Sequence, residues 1–95
     1  MDARAILDTL VGLAEEAGVA VRVVRAAEGE PTPRSALCRV RGRPMLVLAV
    51  GEPLDVRIEA AVAAVRAHGV GLLEGRFLPP AVRERLERQP PDGSV

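Results

Sequence analysis

The sequence predicts a single α+β domain. Three observations carry that prediction. Residues 3–17 and 54–68 hold apolar side chains at helical spacing. Between them lie β-branched and alternating runs bounded by glycine and proline. The chain has 95 residues, 48% hydrophobic and 27% charged, which suits one small domain with a thin core. Helices flanking a small, three-stranded, mainly antiparallel sheet satisfy all three.

The first helix is expected over 3–17. Asp2 is a good N-cap, and Ala3, Ile6, Leu7, Leu10, Leu13, Ala14 and Ala17 form one apolar arc. Gly18 fits the stop position. Gly12 lies inside the helix at a cost of about 1 kcal/mol relative to alanine, as if marking a close packing contact. Residues 19–25 read as a strand and 26–34 as a loop broken by Gly29, Pro31 and Pro33.

Residues 35–50 read as a β-hairpin turning at Gly42-Arg43. Its first arm alternates, with Ala36, Cys38 and Val40 on one face and Leu37, Arg39 and Arg41 on the other. Arginines on that arm suit an edge strand. Met45 to Val50 are apolar throughout, which suits the centre of the sheet. Pro53 is placed to open the second helix, 54–68, whose main stripe is Leu54, Ile58, Ala61, Val62 and Val65. Val56, Ala60, Ala63, Ala64 and Ala67 give that helix a second, small-residue face. An apolar connector, 70–78, leads to a short helix over 80–89. Domain bounds of 1–89 follow, with 90–95 expected as a disordered tail.

Charge is balanced, with 13 basic and 13 acidic residues, but it is unevenly placed. Residues 1–18 are net acidic. Residues 19–43 carry Arg22, Arg25, Arg34, Arg39, Arg41 and Arg43 against Glu28 and Glu30. All the basic residues are arginine, and lysine, asparagine, tyrosine and tryptophan are absent, a bias expected of GC-rich coding. Arginine therefore partly stands where lysine would. An arginine-rich sheet could hold phosphates. Sheets that read RNA stack bases on aromatics, however, and Phe77 is the one aromatic here, so nucleic-acid binding is disfavoured.

Catalytic patterns are sparse. No serine sits in a Gly-x-Ser-x-Gly elbow, and a Walker loop needs a lysine the chain lacks. Cys38 and His68 form a formal nucleophile–base pair, but Cys38 alternates with Ala36 and Val40 and reads as a core residue. One histidine and one cysteine do not make a zinc site. No cofactor, metal or small-molecule substrate is expected. The N-terminal segment lacks the basic start and uncharged run of a secretory signal, and no apolar stretch reaches membrane-spanning length, so the cytoplasm is expected.

One pattern extends over residues 3–68. A leading helix and strand precede the hairpin Ala36 to Val50, followed by a helix with Arg57, Ala63 and a final His68. This resembles the segment around the active site of ImmA/IrrE-type metallopeptidases, where a hairpin leads into a helix carrying Arg and then Ala-His-Glu-x-x-His. The first His and the Glu fall here on Ala64 and Val65. Zinc chemistry needs both histidines and the glutamate. The resemblance thus implies a non-catalytic relative, with the regulatory setting of a family that acts on transcriptional repressors.

The leading expectation is a non-catalytic interaction or structural module. If Val19, Val21, Val23, Ala36, Cys38 and Val40 face the helices, the other sheet face shows Arg22, Val24, Leu37, Arg39 and Arg41 beside Leu46 and Leu48. An apolar strip rimmed with arginine suits a homodimer or a protein partner. The alternatives are the metallopeptidase-like regulator and a weak nucleic-acid binder using the arginine-rich sheet.

Overall fold

A computed structural model describes residues 1–88. The order is α1 (Ala3–Glu16), β1 (Ala20–Val24), β2 (Ala36–Val40), β3 (Arg43–Ala49), α2 (Leu54–His68), α3 (Val70–Leu73) and α4 (Pro80–Glu87). The architecture is α+β, as read from the sequence. The expected tail at 90–95 and the last residue of the 80–89 segment lie outside the described residues. No helix among the described residues is long and apolar enough to cross a membrane.

The ends of α1 form as their residues dictate. The Asp2 carboxylate accepts the Ala5 amide at 2.8 Å. At the other end Gly18 adopts φ +91°, a conformation that costs glycine no Cβ clash. The Gly18 amide then donates to Glu15 and the Val19 amide to Ala14, each at 3.0 Å, which is the Schellman pattern. Val19 is thereby delivered into the core, 2% exposed, at the entrance to β1. Gly12 differs from expectation: a Cβ there would meet nothing within 4 Å, so it marks no close contact.

The sheet order is β1-β3-β2. β3 is central, as its continuous apolar run requires. It pairs antiparallel with β2 and parallel with β1, so the sheet is mixed rather than mainly antiparallel. The chain leaves β1 at one edge, crosses to β2 at the other and returns into the gap. Arg41 and Gly42, at φ 53° and 78°, make the hairpin turn, one residue earlier than the sequence suggested. Positive φ at both central residues is the turn that matches strand twist.

The core lies between one sheet face and the helices. Leu7, Leu10, Leu13 and Ala14 of α1 meet Ile58, Ala61, Val62, Ala64 and Val65 of α2 over Leu46 and Leu48 of β3. Ala61 and Ala64 are fully buried, and their small side chains let α1 and α2 pack against each other. The short helix α4 is fastened to α2 rather than free. Val82 is fully buried and Leu86 packs against the core. Arg85 reaches both Asp55 and Glu59 at 3.1 Å. Arg66 of α2 donates to the carbonyls of Leu86 (2.9 Å), Arg85 (3.4 Å) and Arg88, closing the C-terminal end of α4. Backbone carbonyls there have no helical partner, so a cation is well placed.

Candidate functional site

Cross-strand neighbours share a face, so the register assigns every sheet residue. Leu37 lies opposite Leu46, and Val21 lies opposite Leu46 on the other side. All three belong to the core cluster or pack against it. The covered face is therefore Val21, Val23, Leu37, Arg39, Leu46 and Leu48. The open face is Ala20, Arg22 and Val24 of β1, Met45 and Val47 of β3, and Ala36, Cys38 and Val40 of β2. Cys38 and Val40 are exposed, whereas Met45 and Val47 are half-buried by their neighbours in the sheet. Ala49 continues this row but is fully buried, where its amide is tied to the Ser35 hydroxyl at 2.8 Å.

The residues singled out from the sequence divide between the two faces. Arg22 and Val24 stand on the open face. Leu37, Leu46 and Leu48 do not: Leu46 and Leu48 are 0% and 5% exposed in the core, and Leu37 packs against it. Arg39 shares the Leu37 face at its uncovered end and donates to the Gly42 carbonyl at 2.8 Å. Arg41 sits in the turn and belongs to neither face. The expected orientation of β2 is thus reversed. Three small residues, Ala36, Cys38 and Val40, were placed inward, but one leucine buries more apolar area and pairs with the leucine row of β3. Cys38 is consequently an exposed thiol, not a core residue.

The signal for the open face was present in β3. Every second residue of a strand exposed to water on one side is ordinarily polar. Met45 and Val47 break that rule, and they sit between Ala20 and Cys38 and between Arg22 and Ala36. Among the described residues of the sheet, the charges on this face are Arg22, on an edge strand, and Arg43, at the hairpin end.

Other chemistry is dispersed. Cys38 is on the open face, while His68 ends α2 on the covered side. Arg57 and His68 lie eleven residues apart on α2, roughly 16 Å along its axis. Ala64 and Val65, the positions of the metallopeptidase His and Glu, are fully buried in the core. No group of three His, Cys, Asp or Glu placed to hold a metal ion occurs among the described residues. Comparison with known proteins finds no matching family, curated protein or solved structure.

A second feature lies at the β1 corner of the covered face. Val23 points to the helix side yet is 63% exposed, because α1 stops short of covering it. A cleft of about 390 Å³ opens there between α1, the ends of β1 and β3, and the first turn of α2. A hydrogen-bond chain meets it at Arg57. The Ser35 amide donates to the Glu52 carboxylate at 2.5 Å, and the Arg57 Nε donates to the Glu52 carbonyl at 3.1 Å. The Ser35 bond, aided by nearby Arg34 and Arg57, holds the Glu52 carboxyl below its ordinary range.

Proposed function

We propose that this protein is an interaction module that self-associates through the open face of its sheet. The observation that supports the reading is the apolar centre formed by Met45 and Val47 with Ala20, Ala36 and Cys38 around it. A two-fold contact between identical patches places the centre of each patch against the other, so an uncharged centre is required. Arg22 and Arg43 lie at its margin, where charge is solvated.

The size of the face sets the strength. Strands of 5 to 7 residues give a three-stranded plane of roughly 250 Å². A standard interface buries about 800 Å² per partner. The self-association is therefore weak and concentration-dependent, with the hairpin and the 25–35 loop adding to the contact.

Cys38 is the single cysteine and sits on this face. Because a label on Cys38 would block the face, Cys38→Ala with Glu15→Cys places a nitroxide on the exposed side of α1, where pulsed electron paramagnetic resonance reads the distance between copies. A defined label-to-label distance that disappears on dilution supports the reading. A featureless signal at every concentration opposes it.

A further inference from the structure

The cleft at the β1 corner combines an apolar floor with a basic rim. Its floor is apolar, built from Leu7 and Val11 of α1, Val21 and Val23 of β1, and Leu48 and Val50 at the end of β3. Its rim carries Arg4, Arg25 and Arg57, with Asp8 as the one carboxylate. The rim is net positive by two charges.

Ion pairing separates these three arginines from those between Arg76 and Arg88. Arg76, Arg83, Arg85 and Arg88 each meet a carboxylate. Among the described residues, no carboxylate lies within ion-pair distance of Arg4, Arg25 or Arg57. Even Asp8, one turn from Arg4, does not pair with it. Among the described residues, Arg22, Arg34, Arg39, Arg41, Arg43 and Arg66 are also without an ion-pairing carboxylate, but they do not border this hollow. Arg57 uses its Nε on the Glu52 carbonyl, which leaves its terminal nitrogens without a hydrogen-bond partner among the described residues.

The position has a topological reason. β1 and β3 are parallel and neighbouring, and Arg25 and Val50 follow their carboxyl ends directly. The crevice beyond the carboxyl ends of parallel strands is where open sheets with helices bind ligands. A volume of about 390 Å³ falls within the range of small-molecule sites.

We propose that this cleft binds a small carboxylate with an aliphatic body. The hydrocarbon lies on the Val21, Val23 and Leu48 floor, and the carboxylate takes planar donors from Arg25 and Arg57. A guanidinium matches two carboxylate oxygens at once, which a hydrated monovalent point charge does not. This site is independent of the open sheet face, because Val23 and Leu48 project to the opposite side.

The test is a titration of isotope-labelled protein with octanoate, followed by amide shifts, beside octanol as the uncharged equivalent. Saturable shifts at Val23, Val50 and the first turn of α2 are expected, with octanol weaker by roughly tenfold, as loss of a charged hydrogen bond predicts. Arg25→Gln, at an exposed strand end, should lower octanoate affinity by a similar factor and leave octanol unchanged. Val23→Asp should abolish octanoate binding. The proposal is overturned by absence of saturable shifts, by equal affinity for octanoate and octanol, or by an Arg25→Gln variant that binds octanoate as tightly as the wild type.

Discussion

Leu37 and Leu46 stand opposite each other across the β2–β3 pair, and both point into the core. That one pairing determines which side of the sheet every other strand residue occupies. A slip of one residue would exchange the covered and open faces entirely.

The pairing predicts a sharp contrast between adjacent residues. Leu46→Ala removes a fully buried side chain and should cost about 2–5 kcal/mol. Val47→Ala, on the open face, should cost less than about 1 kcal/mol, as expected where burial is partial. Urea unfolding of dilute protein measures both. Equal losses would mean that the faces are misassigned.

Much of this fold is visible in local sequence signals. Asp2, Gly18 and Pro80 mark helix ends, and the unbroken apolar run at 45–50 marks the central strand. The parallel pairing of β1 with β3 has no such signal, because it joins segments separated by a hairpin and is decided by what fills the gap. The face of β2 was ambiguous because its alternation sets three small residues against one leucine and charged neighbours. Only the partner row on β3 resolves that choice. The cleft was not legible at all. Arg4, Arg25 and Arg57 are far apart in sequence and meet only because α1, β1 and α2 converge at one corner.

Gly12 offers a stability test free of packing effects. A Cβ there meets nothing within 4 Å, and the residue lies inside α1. Gly12→Ala should stabilise the protein by about 0.5–1 kcal/mol through helix propensity and reduced unfolded-state freedom. A lower melting temperature would show a hidden contact at that position.

Arg66 should matter chiefly for α4. Its hydrogen bonds end on carbonyls of Arg85, Leu86 and Arg88. Arg66→Ala should cost about 1.5–3 kcal/mol of local stability, the range for charged hydrogen bonds. Hydrogen exchange should accelerate across α4 while the β3 amides stay protected. Uniform acceleration would mean that α4 and the sheet unfold together.

Acid should loosen the junction between the 25–35 loop and α2. The Glu52 carboxyl is held below its ordinary value, chiefly by the Ser35 amide. Its stabilising effect is present above the ordinary glutamate range, near pH ~4.3, and is lost as pH falls through the lowered value. Glu52→Ala should therefore lower the melting temperature at pH 7 and flatten its decline between pH 5 and 3. An unchanged acid limb would show that Ser35 and Glu52 contribute nothing to folding.

Self-association, as proposed, sets the sheet's open face against that of a second copy. Met45 lies at the middle of that face, between Ala20 and Cys38, and is not on an edge strand. Light scattering across a dilution series should therefore be run on wild type and on Met45→Asp. Wild-type mass should rise from 10.0 kDa toward twice that value with concentration, while folded Met45→Asp stays monomeric. A wild type that remains at monomer mass throughout, or a Met45→Asp variant that associates equally well, would contradict it.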